Sequence, residues 1–405
     1  MKAFHDLTEL PTPSLILDRS RLLRNVARMQ ARAQALKVQL RPHLKTAKSA
    51  RVAELAHNGT KGPVTVSTLA EAAYFARHGF RDITYAVPIG PQKLDQVAAL
   101  MRAGGDPASV DLKIITDHPA VAQAIADKGR ELGVAFRVLI KIDCGLGRAG
   151  IPPDSDLLLP LAGILAGDPA QPGSRLAGVL THAGHSYNAT GIAEIERIAE
   201  EERLAAVTAA TRLRAAGFAC DIVSVGSTPT ALFAKSLDGV TEMRPGNYVF
   251  FDLFQAALGT CRMEDVAVSV LAAVVAHHPG RNHFLIDAGG LALSKDTGAN
   301  KHAPGTGYGR VCRPGDALPL PGLSVYDVHQ EHGLVGGPLT PDGKQAEPVD
   351  FAGHAPGSRL RVLPNHVCMT GAMYDRYFVI DPARNSGQPG GGPEIVAEWD
   401  RVNGW

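Results

Sequence analysis

The chain has 405 residues, 45% of them hydrophobic, which is enough for a sizeable core and more than one typical domain of ~100–200 residues needs. Lys plus Arg number 41 against 40 acidic residues, and a formal net charge of +1 excludes a general attraction for nucleic acid or an anionic membrane. The opening MKAFHDLTEL lacks the apolar run of a signal peptide, no segment is long and apolar enough to span a bilayer, and five widely spaced cysteines make no disulfide framework, so a cytoplasmic setting is expected.

The first apolar run, TPSLILDR, is expected to pair with strands near the other end of the chain. One theme then repeats over residues 21–257: a short apolar run, a loop and an amphipathic stretch. SRLLRNVARMQARAQALK reads as a helix and leads into the strand-like VQLRPHLKT. PVTVST, DITYAVP, VDLKIITD and AFRVLIKID follow, each trailed by a helical pattern, and then RLAGVLTHAG precedes the long helix GIAEIERIAEEERLAAVTAATRLRAAG. CDIVSVGS and VTEMRPGNYVF close the series. These eight strands are β-branched and apolar without strict alternation, as in a sheet covered on both faces. Eight βα units point to a (β/α)8 barrel; a doubly wound open sheet is the alternative, although no G-x-G-x-x-G follows the first strand. Over residues 258–405 the texture changes to strand-like runs (VAVSVLAAVVAHH, HFLIDAGG, SRLRVLPNHVCMT, RYFVID) between Gly/Pro-rich turns, with no convincing helix. This reads as a second, all-β domain, joined by residues 1–20.

Several residues stand where a barrel does its chemistry. Lys45 ends the first barrel strand, in Arg41-Pro42-His43-Leu44-Lys45, and side chains at the C-terminal strand ends face the active site. A lysine held there and partly desolvated attacks aldehydes; a surface lysine covering apolar area is the plainer reading. Gly226-Ser227-Thr228-Pro229-Thr230 and Arg244-Pro245-Gly246-Asn247 lie after the seventh strand and near the eighth, where barrels commonly hold phosphate. In Asp143-Cys144-Gly145-Leu146-Gly147-Arg148 the glycines permit a sharp turn, and Arg148 either donates to a phenolate or stays solvated. His182, His185 and Tyr187 follow the sixth strand as further neighbours. In the β domain, His366-Val367-Cys368 puts imidazole and thiolate on one face if the segment is a strand; this suits zinc, or else a satisfied histidine beside a buried cysteine. Gln330-Glu331-His332-Gly333 adds polar candidates.

RPHLKT, VTVSTLAEA, DCGLGRAG, THAGHSY, VSVGSTPTAL, DGVTEMRPGNYVFFDL, HQEHG, LPNHVCMTGA and the closing WDRVNGW together resemble the alanine-racemase-like pyridoxal phosphate (PLP) enzymes. Within them the resemblance is to the D-serine dehydratase, D-threo-3-hydroxyaspartate dehydratase and D-threonine aldolase group, in order along nearly the whole chain. It implies a PLP-bearing barrel plus a β domain, a homodimer, and Lys45 as the Schiff-base lysine with His43 and Arg148 beside the cofactor. Ser227, Thr228, Gly246 and Asn247 fall at the phosphate, and Arg244 or Tyr187 at the pyridine nitrogen. His366 and Cys368 match the metal pair of the dehydratases, where the aldolases carry H-x-D. The resemblance therefore implies a lyase that uses zinc, or another divalent metal, to turn a D-3-hydroxy amino acid into a 2-keto acid and ammonia. D-threonine aldolase, racemase and non-catalytic PLP-binding protein remain the other readings.

Overall fold

The computed structural model describes residues 4–102, 109–168, 170–315, 317–337, 347–382 and 393–405. It divides into two compact units, Arg28–Gly246 with Val402–Trp405, and Met1–Ala27 with Asn247–Arg401. The first strand, β1 (Ser14–Asp18), belongs to the second of these and leads into the helix Arg19–Ala35.

Eight parallel strands then build the first unit: β2 (Gln39–Leu40), β3 (Val64–Val66), β4 (Asp82–Pro88), β5 (Asp111–Thr116), β6 (Phe136–Lys141), β7 (Ser174–Leu180), β8 (Ile222–Val225) and β9 (Glu242–Met243). Their order is β2-β9-β8-β7-β6-β5-β4-β3, and a parallel bridge from His43 to Thr65 joins the first to the second and closes the ring. Seven fall inside runs that the sequence marks and β7 begins one residue before its run, so the (β/α)8 barrel is what forms. β5 and β6 are buried almost end to end, because helices cover the outer face and the ring closes over the inner one. Local chemistry starts the covering helices where the apolar periodicity begins. Thr68 accepts from the Glu71 N–H ahead of Leu69–Arg77, and His118 accepts from the Ala120 N–H ahead of Pro119–Leu132.

The barrel interior departs from the aliphatic layers usual in this fold. Near the N-terminal strand ends, Arg41 donates to Glu242 (2.7 Å) and to Asp82 (2.5 Å). Lys113 donates to Asp82 (2.6 Å) and Asp111 (2.7 Å), and Arg137 adds a further pair to Asp111. Arg41, Lys113 and Glu242 are buried to within a few per cent. Buried charge persists only when each ion has partners, and here each does.

Among the described residues, the second unit is one nine-stranded sheet. After β1 it contains β10 (Val268–His278), β11 (His283–Ile286), β12 (Gly309–Cys312), β13 (Pro319–Val328), β14 (Gly333–Gly336), β15 (Arg359–Pro364), β16 (Arg376–Ile380) and β17 (Ile395–Asp400). The order is β11-β14-β13-β12-β15-β10-β1-β16-β17, with an additional β10–β11 pairing that curls the sheet back on itself. As expected from TPSLILDR, β1 pairs with this domain, antiparallel to β10 and parallel to β16. Leu7, Leu10, Ile16, Leu271, Phe378 and Ile380 pack together across these strands.

Two sequence expectations fail here. His366-Val367-Cys368 is not in a strand: β15 stops at Pro364, and His366 precedes a one-turn helix, Val367–Thr370. Proline cannot donate to a ladder, and the chain turns away after it. Short helices also occur at Gly290–Leu293 and Val367–Thr370, in a region read as helix-free. Gln330, Glu331 and His332 form an exposed turn between β13 and β14. Much of the Gly/Pro-rich segments VGGPLTPDG and SGQPGGGP lies outside the described residues. Among the described residues, no helix is long and apolar enough to cross a membrane.

Candidate active site

Lys45 stands in the turn after β2, two residues beyond the His43 bridge. Leu44 N–H to Thr65 O (2.8 Å) and Lys48 N–H to Leu44 O (2.7 Å) fix that turn. Its side chain enters a cavity of about 410 Å³ at the C-terminal ends of the barrel strands, within the size range of small-ligand sites. His43, Lys141, Arg148, His182, Gly226 and Arg244 line the same space.

The lining is cationic, and its histidines are not. Burial, and then the charge of Lys45, push both His43 and His182 well below the ordinary imidazole range. His182 Nδ1 lies 2.6 Å from the Gly226 carbonyl, which can only accept, so Nδ1 carries the proton and Nε2 is bare. His43 Nδ1 is buried with no hydrogen-bond partner among the described residues. Lys141 closes β6 and donates to the Ile142 carbonyl at 3.0 Å; burial and the Arg244 charge lower its pKa to about 8. Arg244 is tied by one guanidinium nitrogen to Ser224 Oγ and the Val225 carbonyl, and by the other to the Thr181 carbonyl. Burial lowers its pKa to about 10.

Arg148 reaches the cavity from a loop shaped by two carboxylates. Asp143 Oδ1 accepts from the N–H groups of Gly145 (3.1 Å), Leu146 (3.1 Å) and Gly147 (3.2 Å), and Asp117 accepts from Gly150 N–H (2.6 Å). The sequence reading credits the glycines alone.

The expected phosphate residues divide. Gly226 lines the cavity with φ +139, and a Cβ there would come within 2.5 Å of the Arg244 nitrogen, so the close approach requires glycine. Ser227 and Thr228 are buried behind it; Ser227 Oγ accepts from Thr230 N–H (3.2 Å) and lies 2.9 Å from Ser186 Oγ. Gly246 packs on His43, where a Cβ would meet the His43 carbonyl at 2.6 Å. Asn247 begins the segment of the other unit and donates one side-chain amide hydrogen to Asp252 (2.7 Å). Tyr187 sits in a 3-10 turn, Gly184–Asn188, and does not line the cavity as Arg244 does.

In the other unit, His366 Nδ1 donates to Asp296 Oδ2 at 2.6 Å. A histidine whose inner nitrogen is held by a carboxylate presents its outer nitrogen in a fixed direction, the usual support of a metal ligand. Burial disfavours the charged ring, but the Asp296 and Cys368 hydrogen bonds outweigh it and raise the His366 pKa to about 11. Imidazole and thiol thus converge although the segment is not a strand. Among the described residues no cluster of three or more His, Cys, Asp or Glu is placed to hold a metal. A two-residue donor set leaves positions open for water and substrate, as a catalytic ion needs and a structural one does not. Lys141 and Asp296 are not singled out by the sequence. Lys141 ends a barrel strand and obeys the same rule that marks Lys45, whereas no spacing signal links Asp296 to His366.

The family model for the N-terminal domain of alanine racemase matches residues 17–253, and the putative serine dehydratase domain matches residues 267–380. The chain belongs to the alanine racemase family. It is 45% identical over 400 residues to the D-threo-3-hydroxyaspartate dehydratase of Delftia sp. (strain HT23), covering 98% of this chain and 99% of that one. The solved structure of the Delftia enzyme superposes with a TM-score of 0.90, over 99% of this chain and all of that one. A further structure of it is a cysteine-to-alanine mutant in the metal-free form. The D-serine dehydratase of Dictyostelium discoideum is 32% identical over 93% of this chain and 95% of its own. Within the family, then, this chain is an enzyme that resembles lyases named as dehydratases.

Proposed function

We propose that the chain is a PLP-dependent dehydratase that converts a D-3-hydroxy amino acid, D-threo-3-hydroxyaspartate or D-serine, into a 2-keto acid and ammonia. The likeness to the Delftia dehydratase over essentially the full length of both chains carries this reading. The cavity fits the cofactor: it offers a lysine for an aldehyde, three further cations for phosphate and phenolate, and an unpartnered buried imidazole nitrogen. The donor set of His366 and Cys368, backed by Asp296, fits a divalent metal, and nitrogen with sulfur favours zinc.

When bound, PLP supplies an electron sink for charge developing at Cα, and the metal supplies a Lewis acid for the departing hydroxyl. Lys45 would hold the cofactor, and its Nζ would serve as the general base toward the Cα proton. Arg148, held by the Asp143-braced loop, would donate to the cofactor's phenolate oxygen, and Arg244, which follows β9, would answer its pyridine nitrogen. Ser227 can turn its hydroxyl hydrogen toward phosphate while still accepting from Thr230 N–H. Thr228 and Gly246 would complete that end. His366 and Cys368 hold the metal, and Asp296 keeps the His366 outer nitrogen aimed at it. Five cysteines left as free thiols support a cytoplasmic setting, and the homodimer expected of the family is part of the proposal.

The test is a substrate panel of D-serine, D-threonine and both D-3-hydroxyaspartates. Keto acid and ammonia in equal amounts, with negligible glycine, is the expected result. Stoichiometric glycine from D-threonine without dehydration of the others would make the enzyme an aldolase.

A further inference from the structure

Helix Ile192–Ala215 covers the outside of the barrel, yet one of its residues is a carboxylate shut off from solvent. Glu202 is 1% exposed and makes no salt bridge among the described residues. Its partners are instead three neutral donors on two different loops. Oε1 accepts from Ala183 N–H at 2.8 Å, after β7, and from Gly226 N–H at 3.0 Å, after β8; Oε2 accepts from the Thr230 hydroxyl at 2.8 Å. Two more links run between the same loops, His182 Nδ1–H to the Gly226 carbonyl and Ser186 Oγ to Ser227 Oγ. A buried carboxylate is costly unless its lone pairs are filled, and filling them here requires both loops to be in place at once.

We infer that Glu202 is a positioning residue of the cofactor cavity, stapling the His182–Ser186 and Gly226–Thr230 loops into one rigid wall. The inference rests on the PLP reading above for its ligand, not for its geometry. Three consequences follow from the contacts. Gly226, which cannot carry a side chain, is held where it lines the cavity. The Gly226 carbonyl is thereby held against His182, which fixes the imidazole proton on Nδ1 and leaves Nε2 bare on the cavity side. The Thr230 hydroxyl, its hydrogen committed to Glu202, accepts from Ser227 N–H (3.2 Å) and sets the position of Ser227. Glu202 is also a negative charge behind Arg244 and Lys141 and favours their protonated forms against burial.

Glutamine at this position keeps the shape but turns one acceptor into an N–H₂ that opposes a donor. Glu202→Gln is expected to weaken PLP binding to apoenzyme on the order of tenfold, the scale of one buried unsatisfied polar group. Backbone amide exchange should quicken in 181–187 and 226–233 and stay unchanged in β4 and β5. Thr230→Val, which removes one of the three donors and leaves the carboxylate, should show the same pattern at smaller size. It also serves if the glutamine variant folds poorly. Glu202→Asp, with its charge retained, should recover part of the lost affinity. Unaltered PLP affinity in folded Glu202→Gln, or exchange that rises evenly through the barrel, overturns the inference. Wild-type protein that takes up no PLP on Lys45, tested by borohydride reduction and peptide mapping, overturns the functional reading instead, and the staple then stands or falls on amide exchange alone.

Discussion

The two ends of the barrel hold their buried charge in opposite ways. At the N-terminal strand ends Arg41 and Lys113 each bond to two carboxylates, so every positive charge is answered by a residue of the chain. At the C-terminal ends Lys45, Lys141, Arg148 and Arg244 crowd one cavity, and Glu202, a buried carboxylate beside it, is occupied by neutral donors. Lys45 and Arg148 have no hydrogen-bond or ion-pair partner among the described residues. Saturated charge makes structure, and unsaturated charge waits for an anionic ligand.

That contrast breaks most visibly at Lys45. Lys45→Ala should lower turnover by about 10³-fold or more, the scale of a lost general base, while the thermal midpoint barely moves. Normal turnover in this variant would refute the mechanism. Borohydride should fix PLP to Lys45 in the wild type, and a label found on Lys48 or Lys141 would move the site.

The metal pair lies between the two extremes, because His366 has one carboxylate partner, Asp296, and the Cys368 thiol as its other. Chelation should abolish activity without unfolding the protein, as a two-residue site contributes little to folding. Asp296→Asn should cost about 10–100-fold in metal affinity, measured by competition with a chromogenic chelator. Unfolding on chelation would make the site structural.

At the saturated end the same kind of substitution should act on stability. Glu242→Gln strips a carboxylate from a fully buried guanidinium and should cost about 3–5 kcal/mol in urea denaturation. A variant as stable as wild type would remove the distinction between the two ends.

The smallest effect concerns acid. Burial alone would raise the Asp82 pKa, but hydrogen bonds and charge from Arg41, with the charge of Lys113, hold it below the ordinary carboxylate range. A depressed folded value means that the stabilisation is complete above the unfolded pKa and is lost as pH falls through the folded one. Asp82→Asn should therefore be less stable than wild type at neutral pH, with the difference shrinking below about pH 4, where the unfolded carboxyl takes up its proton.

The barrel was legible because its signals are local: each of β2 to β9 is an apolar run followed by a helical period. The β unit was read less well for an equally physical reason. β13 begins Pro319-Leu320-Pro321-Gly322, and those residues argue against a strand, yet it pairs with β12 and β14 through irregular registers that accommodate them. At the site, Lys45, Arg148 and Arg244 were visible from their places at strand ends. Asp117, Glu202 and Asp296 were not, because a carboxylate that shapes a loop from elsewhere in the chain leaves no pattern. His366 and Cys368 were chosen by a strand argument that does not hold, and converge instead through a one-turn helix.

β1 also has a bearing on how the chain is made. It lies between β10 and β16, so a segment that leaves the ribosome before the barrel finds its partners among segments made after it. The barrel strands, β2 to β9, are complete as soon as residue 243 has emerged. The β sheet cannot assemble its middle until β16 is out, and through that interval Leu15, Ile16 and Leu17, all buried in the finished sheet, stay exposed. A strand with apolar side chains and no partners is what holdase chaperones bind and what aggregation recruits. β1 thus sets a waiting time that β16 ends.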